Sequence, residues 1–222
     1  MHLKRDYKKH ASELKNKFDI TLVLMNNSIF YNIPKEVDLV YIEKSKPFEN
    51  GFFKLLKLPI LAFKYNKICK DKEIDISLSF MNRPNYINLI SKLFGRKSKT
   101  LISERITPSQ EYKTNSTKDM ISKFLIKNLY PNADLIIPNS RGIKANLIED
   151  FNIEPKKIRV IHNPINLNKI YSLSEETVDF DFSRFTFITI GRLQSQKNHK
   201  LMIDSFSKIK KLKTQLLIIG EG

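Results

Sequence analysis

Short runs of Ile, Leu, Val and Phe recur along the chain, and between them apolar residues fall three or four positions apart. The first pattern predicts buried strands and the second amphipathic helices. In order, strands are expected at about 18–25, 38–42, 74–80, 99–103, 134–138, 158–161, 185–190 and 215–219. Helices are expected at 3–16, 51–70, 84–94, 118–129, 141–150 and 197–210, with Pro59 kinking the second and Ser140 capping the fifth. Residues 104–117 read as a polar loop and 166–184 as a connector. Strand and helix alternate from end to end, which indicates an α/β fold built on parallel sheets.

One junction carries chemistry. Ile190-Gly191-Arg192-Leu193-Gln194-Ser195-Gln196-Lys197-Asn198 joins the strand 185–190 to an amphipathic helix with Leu201, Met202, Ile203 and Phe206 on its apolar face. A glycine at a strand end permits a tight turn and a close ligand. A helix start directs unpaired N–H groups at that space and favours an anion. Arg192 and Lys197 add cations, so a diphosphate suits the site. Neither G-x-x-x-x-G-K-[ST] nor G-x-G-x-x-G occurs, so this is neither a P-loop nor a dinucleotide fingerprint. Taken alone, G-R-L also fits a plain strand end with solvated charges.

The surrounding order narrows the choice. FTFITIGRLQSQKNHKLMIDSF, then LLIIGEG, resembles the start of the C-terminal domain of the family 4 (group 1) glycosyltransferases. YPNADLIIPNS and KIRVIHNPIN resemble that family's last N-terminal strands and the crossing between its domains. The resemblance covers most of the chain and is strongest from Tyr130 to Gly222. It implies the GT-B architecture of two Rossmann-like, doubly wound parallel-sheet domains. The first is expected over 1–165, on the acceptor side. The second is expected from 166 to 222, as a connector and the beginning of the donor-nucleotide domain. Against the family pattern, the first domain lacks its opening strand and glycine-rich turn, and the second is only partly present, without a late E-x7-E segment. A fragment is the expectation.

The resemblance implies transfer of a sugar from a nucleoside-diphosphate-sugar to a saccharide or lipid-linked acceptor in cell-envelope glycan synthesis, with retention of configuration. Gly191, Arg192, Lys197 and Asn198 are the expected donor-phosphate residues, and Gly220 and Glu221 a donor-side turn. Ser103-Glu104-Arg105 resembles the S-E-R of members acting on lipid-linked or polysaccharide acceptors; a Glu–Arg surface pair is the alternative. Asn82, Arg83 and Asn85 stand where the family often has an acceptor-side histidine, so Arg83 is a candidate and the catalytic base is unassigned. His162-Asn163-Pro164 reads as a turn that positions the hinge. His2, His10 and His199 have no partner at a useful spacing. No cofactor or metal is expected, because cations and a helix end serve the diphosphate. The sequence has no H-x-x-x-H, cysteine cluster or Asp-x-Asp.

Composition adds limits. The chain has 222 residues, 41% of them hydrophobic, enough for a core. No run approaches the ~18 apolar residues of a membrane span. The single cysteine, Cys69, fits a reducing compartment and reads as a small buried apolar residue. A cytoplasmic protein is expected, peripheral at the inner membrane face. The net charge of +16 would attract an anionic membrane or nucleic acid. The same excess of lysine follows from an A/T-rich coding sequence. Gly51 to Lys70 is basic and apolar, either a core helix or an interfacial one. A nucleic-acid-binding module is the competing class. No motif supports it and the lysines are spread out, so nucleic acid is not expected as a partner. A non-catalytic remnant of a transferase is the third reading.

Overall fold

A computed structural model describes residues 18–26, 29, 33–43, 51–114, 116–209 and 213–221. The helix expected at 3–16 and the last residue, Gly222, lie outside them. The chain divides into two compact units, one ending at Asn166 and the other beginning at Leu167.

In unit 1, β1 (Thr21–Leu24) pairs in parallel with β2 (Asp38–Tyr41), Thr21 opposite Asp38 and Leu24 opposite Tyr41. A second parallel sheet has the order β3 (Ile76–Phe80), β4 (Lys99–Glu104), β5 (Leu135–Pro138). Ile76 stands opposite Lys99, and Leu101 opposite Leu135. The strand expected at 158–161 does not form. That segment follows β5 through one bridge, Ile158 to Ile136, and through Arg159 and Ile161 N–H bonds to Ile136 and Pro138 carbonyls.

The helix expected at 51–70 is two helices, α1 (Gly51–Leu56) and α2 (Leu58–Asp71). Pro59 sits in the first turn of α2, where its missing N–H costs least. Lys57 between the two helices keeps α-helical angles, and its N–H bonds the Phe53 carbonyl while its carbonyl takes the Leu61 N–H, so the interruption is one residue long. Next come α3 (Asn82–Lys92), α4 (Pro108–Glu111), α5 (Thr117–Leu129) and α6 (Arg141–Glu149). The short α4 lies in the segment expected to be only loop. Ser140 caps α6 as anticipated, its Oγ accepting from the Ile143 N–H at 3.2 Å.

The core gathers Leu58, Leu61 and Ala62 of α2, Tyr86 and Leu89 of α3, Ile126 of α5, Leu147 of α6, and Ile102 and Ile136 of the sheet. The sheet does not bury its more apolar face throughout. On β3 the buried side chains are Ser77 and Ser79, while Ile76 and Leu78 are exposed. Ser77 donates to Asn88 Oδ1 at 2.6 Å and Ser79 to Asn85 Oδ1 at 2.8 Å, so the buried polar groups are satisfied. Cys69 is buried and free.

In unit 2, α7 (Leu167–Ser174) occupies part of the expected connector. Its apolar residues lie on one side of a short amphipathic helix, a signal that the Ser, Glu and Asp around it mask. β6 (Phe185–Ile190) then pairs in parallel with β7 (Thr214–Ile219), and α8 (His199–Phe206) connects them. Phe206 of α8 packs edge-on against Phe187 of β6, centroids 5.9 Å apart. No described side chain of this unit is buried.

Candidate functional site

The β6–α8 junction is built by two glycines in close contact with their surroundings. A Cβ on Gly220 would collide with the Gly191 carbonyl, so the ends of β6 and β7 approach this closely only with glycine at 220. The Gly191 N–H bonds the Ile219 carbonyl at 2.9 Å and the Leu193 N–H bonds the Glu221 carbonyl at 2.9 Å. The expected donor-phosphate loop and the expected donor-side turn are thus stitched together.

A Cβ on Gly191 would lie 3.3 Å from Lys197 Cε and 3.4 Å from its Cδ and Cγ. The lysine stem therefore runs across the bare glycine backbone, at the end of the strand where Arg192 begins. Arg192 and Lys197 are both exposed. The helix itself starts later than expected. Ser195–Lys197 form a 3-10 turn, Asn198 is left-handed at φ 50°, and α8 begins at His199. Asparagine tolerates that conformation better than most residues. His199 also has a role that its lack of a sequence partner hid. Its Nε2 meets the Arg192 carbonyl at 3.0 Å, and since a carbonyl only accepts, Nε2 carries the proton and ties the loop to α8.

In unit 1 the S-E-R segment stands at the carboxyl end of β4. Glu104 is only 1% exposed, which excludes the surface ion pair. Its Oε2 accepts from the Tyr130 hydroxyl at 2.5 Å and its Oε1 from the N–H of Arg105 at 3.0 Å. Asn82 lies between Glu104 and the Tyr112 hydroxyl. With its amide nitrogen 3.1 and 3.0 Å from the two carboxylate oxygens and its oxygen toward Tyr112, both ends are satisfied. Burial pushes the Glu104 carboxyl above its ordinary range, against the lowering effect of these hydrogen bonds.

Arg105 points elsewhere. Its guanidinium donates to Asn163 Oδ1 and lies over the Phe80 ring, 5.2 Å from the centroid. Arg83 grips Glu43 with two bonds, 2.9 and 3.2 Å, and Lys57 meets the same carboxylate at 3.4 Å. Asn85 is wholly buried and bonds the Ser103 carbonyl, so it is part of the core. His162 Nδ1 donates to the Asn139 carbonyl at 3.0 Å, beside Asn163. Sequence reading had no signal for the Arg105–Asn163 contact, which joins positions 58 residues apart. An open groove of about 570 Å³ runs along α6, lined by Arg141, Lys144, Ile148 and His162 among others. Gly51 to Lys70 packs one side into the core, as the core-helix reading expects. Leu58, Leu61 and Ala62 are buried, while Phe53, Leu56, Ile60 and Phe63 are exposed. Among the described residues no helix is long and apolar enough to cross a membrane.

Comparison with known proteins gives the family and the fold. Residues 29–169 match the family model for Glycosyltransferase Family 4. A Campylobacter jejuni protein, N-acetylgalactosamine-N,N'-diacetylbacillosaminyl-diphospho-undecaprenol 4-alpha-N-acetylgalactosaminyltransferase, is 43% identical over 206 residues, which cover 93% of this chain and 55% of that protein. An uncharacterised glycosyltransferase of Methanocaldococcus jannaschii is 28% identical, covering 86% of this chain and 49% of that one. The chain therefore spans about half the length of the curated relatives it matches. A Rickettsia africae glycosyltransferase structure superposes with a TM-score of 0.63 at 20% identity, over 98% of this chain and 56% of that one. Sucrose-phosphate synthase of Thermosynechococcus elongatus gives 0.68 at 13% identity, over 96% and 56%. These two share the α/β, Rossmann-like GT-B fold. With the family model matching well over half of its residues, the chain belongs to glycosyltransferase family 4.

Proposed function

We propose that the chain supplies the acceptor-side domain and the opening of the donor-side domain of a transferase. That enzyme moves a sugar from a nucleoside-diphosphate-sugar to a lipid-linked saccharide in cell-envelope glycan synthesis, with retention of configuration. The observation that carries this reading is the Lys197 stem lying across Gly191, which brings a second cation to the strand end where Arg192 begins. Gly191, Arg192, Lys197 and Asn198 hold the donor diphosphate, and Gly220 and Glu221 brace their loop. As the nucleoside diphosphate leaves, the fixed charges of Arg192 and Lys197 meet the growing negative charge, so side chains take the part a metal ion plays in other transferases. Glu104 and Arg105 belong to the acceptor side. Arg83 helps shape that side through Glu43.

The acceptor class comes from the Campylobacter relative, whose name specifies a diphospho-undecaprenol-linked substrate. A lipid-linked acceptor calls for contact with a membrane surface. The exposed Phe53, Leu56, Ile60 and Phe63, flanked by the exposed Lys64 and Lys67, form an apolar and basic stripe suited to the inner leaflet. The donor test is calorimetric binding of uridine diphosphate to the 222-residue chain. Arg192→Ala with Lys197→Ala is expected to weaken binding about tenfold or more, as loss of charge-assisted bonds to phosphate does. Equal affinity in the two proteins would overturn the donor assignment.

A further inference from the structure

We propose that Arg105 binds a phosphate group carried by the lipid-linked acceptor, and that Asn163 is the positioning residue that aims it. The acceptor class rests on the function proposed above; the geometry of Arg105 does not.

Three contacts hold Arg105 in place. Its N–H is fixed by Glu104 Oε1 at 3.0 Å, its guanidinium donates to Asn163 Oδ1, and the Phe80 ring lies beneath it. The residue is half-buried just beyond the carboxyl end of β4, where ligands of open parallel sheets bind. Its charge, however, is not cancelled. Among the described residues no carboxylate pairs with it, and the neighbouring Glu104 carboxylate is turned inward to Tyr130. Two other cations of this unit are neutralised, Arg83 by Glu43 and Lys92 by Asp134 at 2.9 Å.

An amide partner explains the difference. Asn163 takes one hydrogen bond and fixes the guanidinium plane without supplying a negative charge. The rest of the N–H fork is left to a ligand. A planar fork matches a phosphate through paired bonds, and a charge oriented before binding loses little on capturing an anion. Buried Arg96 also lacks a carboxylate, but it spends its N–H groups on Asn88, Ser98 and Thr100, whereas the described bond of the Arg105 guanidinium is the one to Asn163. The sequence pattern H-N-P also gains a purpose, because His162 is tied to Asn139 while Asn163 faces Arg105.

The test uses the full chain carrying Arg192→Ala and Lys197→Ala, so that the donor loop does not contribute. Calorimetry measures farnesyl diphosphate, with farnesol and inorganic pyrophosphate as controls. Adding Arg105→Ala is expected to weaken farnesyl diphosphate binding about tenfold or more and to leave farnesol unchanged. Asn163→Ala should weaken it about threefold alone and add nothing once Arg105 is gone, the mark of residues acting as one unit. Asn163→Asp is the sharper variant. Its carboxylate strengthens the contact and keeps or raises the melting temperature, yet it cancels the charge, so binding falls further than with Ala. A purely structural asparagine would make Asp the milder change.

Unaltered binding in Arg105→Ala, binding in Asn163→Asp as tight as in Asn163→Ala, or no binding of farnesyl diphosphate at all would overturn the proposal. Pyrophosphate binding as tightly as farnesyl diphosphate would overturn the lipid-linked assignment. If Arg105→Ala does not fold, Arg105→Lys decides: it keeps the charge and loses the fork, so weaker binding supports the proposal and equal binding overturns it. Uridine diphosphate binding to the chain with Arg192 and Lys197 intact reports on the donor reading separately.

Discussion

Unit 1 seals Ile102, Ile126, Ile136, Tyr130 and Leu147 completely from solvent, whereas unit 2 buries no described side chain. In unit 2, Phe185, Ile188 and Ile190 of β6 and Leu201 of α8 all remain more than half exposed. Both units use parallel strands joined through helices. What separates them is apolar area removed from water, the main source of folding free energy. Strand pairing and helix periodicity can draw an element without anchoring it. The candidate acceptor residues thus sit on a packed frame, while the candidate donor loop sits on a light one.

Core truncation should separate the units most strongly. Ile126→Ala is expected to lower the unfolding free energy by about 2–5 kcal/mol. Leu201→Ala, at an exposed site, should change it by less than ~0.5 kcal/mol. Urea titration followed by circular dichroism measures both, and equal costs would erase the contrast.

A smaller effect is expected from Gly220→Ala. Its Cβ meets the Gly191 carbonyl, and overpacking of this sort costs about 1–3 kcal/mol. Hydrogen exchange should quicken in β6 and β7 and stay unchanged in β3 to β5. Faster exchange in both units would show that they share one cooperative transition.

Glu104 gives the mildest test. Burial raises its carboxyl above the ordinary 4.5, so the folded state holds the proton more tightly than the unfolded one. Its contribution is then full below pH 4.5 and is lost as pH rises through the folded-state value. Glu104→Gln should flatten that part of the curve of unit 1 melting temperature against pH. An unchanged slope would place the titration on other groups.

Much of the frame was legible in the residues. β4, β5 and β6 fall where apolar runs lie between turn residues, and Ser140 caps α6 because a hydroxyl precedes a periodic apolar stretch. Prediction failed where one residue overrode a pattern or where a partner came from afar. Pro59 marks a one-residue interruption between α1 and α2, and α7 was hidden by the polar residues around it. On β3, asparagines from α3 drew Ser77 and Ser79 inward in preference to Ile76 and Leu78.

The site divides the same way. G-R-L, the lysine five positions after its arginine and the G-E turn are local features, and with YPNADLIIPNS and KIRVIHNPIN their order along the chain resembles the family that the match over residues 29–169 shows. The sequence by itself therefore determined the alternation of elements, the parallel sheets and the cations at the end of β6. Only the tertiary structure decided that Glu104 turns inward, that Arg83 is paired with Glu43 and that Arg105 meets the amide of Asn163. Periodicity and propensity act over a few residues, whereas burial and charge pairing depend on groups that meet only when the chain has closed on itself.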